Sequence, residues 1–329
     1  VSTTPPPAAV TLGTRASNLA RAQTDRVIEL LVTAWPGSSC DVRPIVTQGD
    51  RTQGSGEPLP EIGGKGLFTF ELERALRDGE IDLAVHSLKD LPAEATTGIV
   101  IGAICLREDT RDCLVARDGL TLAELPRGSV VGTSSLRREA QLRALRPDLE
   151  IRSIRGNVDT RVDKVRRGEY GAAVLAAAGI RRLGLEGVVT EWLAPETMLP
   201  APGQGAVAVQ CRADDEHVLE LVAAIDDRAS RVTTTAERTF LRELGGGCAA
   251  PVAAHAEVVA RTADDASDSL LQGVLGVRMD GLVASIDGSE VIRVRGEGEP
   301  EELGERLAGE ALAAGADVIL EAIRLSVSP

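Results

Sequence analysis

Apolar positions in this chain recur in a repeating rhythm from the start. AVTLGT (9–14) is a short apolar run closed by a glycine. From Ser17 onward Leu19, Ala22, Val27, Leu30 and Leu31 fall near helical spacing, so the pattern predicts a strand and then a helix over 9–35. A strand is expected around DVRPIVT (41–47), a helix over LFTFELERALRDG (67–79) and a strand over IDLAVHS (81–87). Between them GDRTQGSGEPLPEIGGKG (49–66) holds too much glycine and proline for regular structure and is long enough for a functional lid.

The rhythm restarts after residue 110 with strand SVVGT (129–133), helix SLRREAQLRALR (135–146), strand LEIRSI (149–154), helix VDTRVDKVRRG (158–168) and strand AAVLAAAG (172–179). Strands alternating with helices imply parallel sheets, hence two α/β domains. LPAPGQGAVAVQCR (199–212) reads as a Pro/Gly bend entering an apolar strand, a return crossing between them. From about 228 the pattern changes to helix RVTTTAERTFLREL (231–244), three alternating segments (252–260, 271–279, 282–295) and a helix over 301–315. Strands grouped ahead of a helix predict a smaller α+β third domain.

Composition adds to this picture at four points. Only six of 329 residues are Phe, Trp or Tyr, so the cores must be built from Val, Leu, Ile and Ala. No apolar run approaches the roughly 20 residues that span a bilayer, and the opening VSTTPPPAA reads as a flexible tail without a signal-peptide pattern, so a cytoplasmic protein is expected. Five cysteines, odd in number and without C-x-x-C pairing, suggest neither disulfides nor a zinc site, and four of them read as small buried hydrophobes. The net charge of −14 argues against general nucleic-acid binding. Yet residues 127–182 carry 13 basic against 6 acidic side chains, several at predicted strand-to-helix junctions.

Those junctions carry the candidate chemistry. HSLKDLP (86–92) ends a predicted buried strand, which is where ligands of open α/β sheets bind, so Ser87, Lys89 and Asp90 are well placed. The chain has 33 arginines and three lysines, so Lys65 in GGKG and Lys89 beside Asp90 suggest a need for a compact ammonium. His86 reads as a strand-end structural residue rather than a base. In VGTSSLRR (131–138), hydroxyls of Thr133, Ser134 and Ser135 open a helix whose free N–H groups attract anions, and Arg137 and Arg138 add forked donors. IRSIRGNVDTR (151–161) places Arg155 and Arg161 about a glycine and a helix-capping Asn157. With Arg15 and Ser17 in GTRAS, these sites converge on a ligand bearing many carboxylates. GGKG lacks the spacing of a P-loop, and GQGAVA is no dinucleotide fingerprint. In ELGGGCAAP (243–251) a lone thiol, Cys248, sits behind three glycines, which leaves nucleophile, redox sensor and accident all open.

GTRAS, GGKGLF, IDLAVHSLKDLP, VGTSSLRR, IRSIRGNVDTR, APGQGAVAVQ and GGGCAAP, in this order over residues 12–251, closely resemble the hydroxymethylbilane synthase, or porphobilinogen deaminase, family. The resemblance implies two α/β domains of the type II periplasmic-binding-protein kind plus a smaller α+β C-terminal domain. The implied division is 9–105 with 206–226, then 106–205, then 227–329, with 1–8 as a tail. It implies a monomeric transferase of tetrapyrrole (haem) biosynthesis that condenses four porphobilinogen molecules, with loss of ammonia, into linear hydroxymethylbilane. Growth starts from a covalent dipyrromethane cofactor, and Cys248 matches the cysteine that holds it by a thioether. Asp90 matches the catalytic carboxylate. Arg15, Ser17, Lys89, Thr133, Ser135, Arg137, Arg138, Arg155 and Arg161 match residues that pair with the pyrrole acetates and propionates, and Arg182 is a further match. Asp50, Lys65 and Phe68 belong to the lid segment. Neither a metal, a nucleic acid nor a membrane is implied.

Two departures stand out. Gln48 in TQGD takes the place of an arginine common in the family, and Gly245 adds a third glycine expected to loosen the cysteine loop. A competing reading is a two-domain solute-binding or effector-binding protein that closes on a carboxylated ligand without chemistry. It leaves Asp90 and Cys248 unexplained.

Overall fold

A computed structural model describes residues 9–49, 69–245, 250–259 and 276–327. Asp50, Lys65, Phe68 and Cys248 lie outside the described residues. The chain divides into two compact units, one formed by 1–108 with 206–230 and the other by 109–205 with 231–329.

The first unit is built on a five-stranded mixed sheet. Its strands are β1 (Val10–Thr14), β2 (Cys40–Pro44), β3 (Leu83–Ser87), β4 (Ile99–Ile104) and β10 (Val207–Arg212), in the order β2-β1-β3-β10-β4. β1 runs parallel to both β2 and β3, whereas β10 is antiparallel to β3 and β4. Both faces are covered. Val27 and Leu31 of α1 (Asn18–Ala34) and Val218, Leu221 and Val222 of α6 (Glu216–Ala223) pack with Leu12, Val85 and Val209 on one side. Leu72, Ala75 and Leu76 of α2 (Phe70–Arg77) pack with Ile81, Ala84 and Ile99 on the other. Double coverage explains why β1, β3 and β10 read as apolar runs rather than as alternation, whereas the edge strand β2 is largely exposed.

The second unit repeats the plan. β5 (Asp112–Ala116), β6 (Val130–Gly132), β7 (Glu150–Arg152), β8 (Ala172–Ala176) and β9 (Glu191–Leu193) order as β7-β6-β8-β5-β9. β6 is parallel to β7 and β8, and β5 is antiparallel to β8 and β9. Each sheet thus takes its fourth strand from one of the two crossing segments, β10 in the first and β5 in the second. Helices α3 (Leu136–Leu145), α4 (Val158–Arg166) and α5 (Ala177–Arg182) follow β6, β7 and β8. The predicted strand 172–179 is shorter than expected. Ala177 starts α5, because alanine and glycine suit a helix as readily as a buried strand and the apolar run alone does not separate them.

The same unit contains the C-terminal layer, the antiparallel sheet β11 (Val252–Val258), β12 (Val277–Ala284), β13 (Val291–Gly298) with helices α7 (Arg228–Glu243), α8 (Pro300–Ala313) and α9 (Ala316–Val327). The expected third segment 282–295 is split in the structure: its first part completes β12, a turn at 285–290 follows, and β13 runs on to Gly298. Mixed α/β architecture with a smaller three-stranded C-terminal layer is therefore what the chain has. Gly245 lies just after α7, and the rest of the cysteine loop that it is expected to loosen, residues 246–249, lies outside the described residues. Gly245 sits at φ +60°, donates to the Arg242 carbonyl at 2.8 Å and accepts from Arg324 Nη2 at 3.0 Å.

Candidate active site

In the first unit the residues after the parallel strands β1 and β3 meet at one edge of the sheet. Arg15 follows β1, Ser17 caps α1, and Lys89 and Asp90 occupy a 3-10 turn directly after β3. That turn is held by Leu88 N–H donating to the Ala206 carbonyl at 3.0 Å, ahead of β10. Arg15, Ser17, Gln23, His86, Ser87 and Asp90 line one pocket. Asp90 is exposed, Arg15 and Lys89 are half-buried, and His86 is buried. The Ser17 hydroxyl accepts from Ala20 N–H at 3.3 Å, so it is partly committed to capping, while Gln23 Nε2 donates to Ser87 Oγ at 2.9 Å. Burial, assisted by the Arg15 charge, pushes the His86 ring down from 6.5 to about 4, so it is neutral at neutral pH. This agrees with a histidine that is not a general base, though it does lie in the pocket.

The second unit gathers its candidates at the corresponding edge. Thr133 and Ser135 lie between β6 and α3, Arg155 follows β7, Arg161 is on α4, and Arg182 ends α5 after β8. The loops are set by local bonds. Ser134 Oγ donates to the Ile154 carbonyl at 2.7 Å and accepts from Ile154 N–H at 3.1 Å, joining the two strand-to-helix loops. Gly156 sits at φ +108°, where a Cβ would come within 2.7 Å of the Thr160 side chain, so only glycine fits this bend. Ser135 caps α3 without a side-chain cap bond, which leaves its hydroxyl uncommitted to the helix. Arg161 Nε donates to the Gly156 carbonyl at 2.8 Å and Arg182 Nη2 to that of Gly205 at 2.6 Å.

Arg137 and Arg138 have a partner that sequence reasoning missed. Asp112, the first residue of β5, is fully buried and accepts from Arg137 Nη1 at 2.8 Å and from Arg138 Nη2 at 2.7 Å. Gln204 Nε2 also donates to it at 2.9 Å. Although its burial opposes ionisation, the two guanidiniums hold the Asp112 carboxyl far below the usual carboxylate range. One carboxylate between two guanidiniums leaves the cluster with an excess of one positive charge. Both Arg137 hydrogen bonds, to Asp112 and to the Leu199 carbonyl at 2.7 Å, leave from Nη1, so Nη2 is uncommitted. An aspartate heading the apolar run DCLVA was the available signal, but its partners lie 25 and 26 residues away.

A buried cluster with one excess positive charge and one spare guanidinium donor fits a single carboxylate of an anionic ligand. The remaining cysteines fit their expected role. Cys105, Cys113 and Cys211 are buried, Cys40 packs partly against the first core, and burial pushes the Cys113 thiol up to about 12, far from a reactive thiolate.

Comparison with known proteins agrees along most of the chain. Residues 10–220 match the family model described as porphobilinogen deaminase, dipyromethane cofactor binding domain, and residues 232–313 match the porphobilinogen deaminase C-terminal domain. A protein of Roseiflexus sp. (strain RS-1) named porphobilinogen deaminase is 48% identical over 309 residues, covering 94% of this chain and 97% of its own. Proteins of the same name from Brevibacillus brevis and Mycolicibacterium gilvum are 45% and 48% identical over 315 residues each, covering 95% of this chain and 97% and 98% of their own. The chain belongs to the porphobilinogen deaminase family.

Proposed function

We infer that this chain is a porphobilinogen deaminase, a transferase of tetrapyrrole biosynthesis that joins four porphobilinogen molecules into linear hydroxymethylbilane with loss of ammonia. The observation that carries this reading is family membership over both matched regions, and the arginines gathered at the strand ends of the second sheet support it. Bound dipyrromethane supplies the pyrrole carbon to which the first substrate ring is joined.

Each pyrrole brings an acetate and a propionate, so the ligand is a chain of carboxylates. Arg137, Arg138, Arg155 and Arg161, with Thr133 and Ser135, are assigned to bind them, with Arg182 at the end of α5 as a further contact. Arg15, Ser17 and Lys89 take the same role at the edge of the first sheet. Asp90 is assigned to the chemistry. As the protonated amine leaves as ammonia, positive charge develops on the substrate's pyrrole and methylene carbons, and a carboxylate beside it stabilises that charge. Once the carbon–carbon bond forms, the displaced pyrrole proton needs an acceptor, and the same carboxylate can take it. Cys248, outside the described residues, is assigned as the thioether anchor, with Asp50, Lys65 and Phe68 as lid residues. A cytoplasmic location, as the sequence pattern leads one to expect, and a monomer, as the family resemblance implies, complete the proposal, and sedimentation equilibrium checks the oligomeric part.

Intact mass tests the central assignment. Protein made in cofactor-replete cells is expected to be heavier than its sequence by one dipyrromethane, and Cys248→Ala is expected to show the bare chain mass. Wild-type protein that shows sequence mass alone and turns over no porphobilinogen favours the solute-binding alternative.

A further inference from the structure

His86, which lines the pocket beside Asp90, stands at the end of a buried polar chain that the assigned chemistry does not use. In the β3–β10 ladder Ala208 stands opposite His86 and Gln210 opposite Ala84, so Gln210 is the diagonal neighbour of His86 on one face of the sheet. The pairing of β10 with β4 shifts register between Val209 and Gln210, an irregularity of the kind that re-aims side chains. Gln210 Nε2 donates to Glu73 Oε1 at 3.1 Å, and the same oxygen accepts from Thr96 Oγ1 at 3.1 Å. Because the Glu73 carboxylate only accepts, it fixes which end of the Gln210 amide faces it. The Gln210 oxygen is therefore turned the other way. Gln210 Oε1 and His86 Nε2 are both buried without a hydrogen-bond partner, and the two side chains are diagonal neighbours on one face of the sheet.

An amide oxygen can only accept, so the ring nitrogen that faces it must carry the proton. The second ring nitrogen, Nδ1, then keeps its lone pair. Arg15 and Asp90 are the charged groups that line the pocket with His86, and Glu73 is the charged group behind Gln210. We propose that Glu73 and Gln210 are positioning residues that hold His86 as its neutral Nε2–H tautomer, so that Nδ1 accepts a hydrogen bond from an N–H of the aminomethylpyrrole substrate. The substrate half of this proposal rests on the function proposed above, whereas the tautomer half stands on the fold alone.

Ring-15N histidine NMR on the holoenzyme reads the tautomer without turnover. The chain has three histidines, at 86, 217 and 255, and His86→Asn identifies the resonance of interest by its loss. Wild type is expected to show a neutral Nε2–H ring at His86 from pH 6 to 8, and Gln210→Leu is expected to populate the Nδ1–H form. A protonated ring or an Nδ1–H tautomer in wild type overturns the relay, as does a tautomer that Gln210→Leu leaves unmoved. For the acceptor role, His86→Leu is expected to raise KM for porphobilinogen about tenfold, the weight of one hydrogen bond, with a smaller change in kcat. His86→Asn, whose Oδ1 occupies the position of Nδ1, is expected to recover most of that loss. Unchanged KM in His86→Leu, or no recovery in a folded His86→Asn, rejects the acceptor role. Failure of the proposed function is distinguishable, since it appears as wild-type protein without cofactor mass or turnover.

Discussion

At the scale of single residues, buried charge is the most consequential feature of this protein. Asp112 is fully buried between Arg137 and Arg138, and Gln204 completes its hydrogen bonding. Removing one member of such a cluster leaves uncompensated charge in the interior. Asp112→Ala is therefore expected to cost about 3–5 kcal/mol in chemical denaturation, and to reduce cofactor content in intact mass because both guanidiniums lose their orientation. A variant with full stability and full cofactor mass removes Asp112 from this account. His86 supplies the pH dependence. Its pKa is lowered from 6.5 to about 4 in the fold, so the unfolded chain binds more protons between those values and stability falls as pH drops through that window. The loss at this site is expected to approach roughly 3 kcal/mol by pH 4, and His86→Asn should flatten the stability profile between pH 4 and 6.5. Asp112 adds slope only at the acid end of that window, where the unfolded carboxyl, ordinarily at 3.8, begins to bind a proton that the folded cluster refuses.

Among the elements, α3 shows how a helix can be misjudged from its polarity. Its inner face buries Arg137, Arg138 and Gln141 along with Ala140 and Leu142, so its amphipathic signal is weak although its packing is close. Gln141 accepts from Leu199 N–H at 2.8 Å and donates to the Leu199 carbonyl at 3.0 Å, binding the helix to the bend before β10. The β12–β13 turn closes over the end of α3, where Gly288 adopts φ +74° and a Cβ would lie 2.4 Å from the Ala144 nitrogen. Gly288→Ala is expected to destabilise the protein by about 1–3 kcal/mol, since neither backbone has room to yield. A melting temperature equal to wild type contradicts that packing.

For the molecule as a whole, the crossing segments decide what can fold. β10, contributed by residues 207–212, separates β3 from β4 in the first sheet and pairs with both. A fragment ending at Gly205 keeps β1 to β4 but lacks the strand that joins β3 to β4. It is expected to lose cooperative thermal unfolding of the first unit, with the Trp35 fluorescence change as the probe, because Trp35 Nε1 donates to the Leu221 carbonyl in the missing segment. A cooperative first unit in that fragment rules out this dependence. The buried carboxylate of Glu237 makes a comparable tie in the second unit, accepting from Gly203 N–H at 2.7 Å and Ala256 N–H at 2.8 Å.

Local pattern was sufficient for much of this. The strand-then-helix rhythm, the glycine and proline punctuation and the hydroxyl- and arginine-rich junctions were legible because each is written within a few residues. Ser17, Ser87, Lys89, Asp90, Thr133, Ser135 and Arg155 stand at predicted strand ends, and parallel pairing brings such ends to one edge of a sheet. Strand limits were less legible, as at Ala177, where alanine and glycine serve either state. Asp112 and the Glu73–Gln210–His86 chain were invisible, since 25 and 26 residues separate Asp112 from its arginines and 137 separate Gln210 from Glu73. The sequence by itself determined the α/β class, the family and the residue types offered to an anionic ligand, because these depend on local periodicity and short motifs. Tertiary structure alone decided which charges neutralise one another and which ring nitrogen of His86 is left to the pocket, because electrostatics and hydrogen bonding act through space and not along the chain.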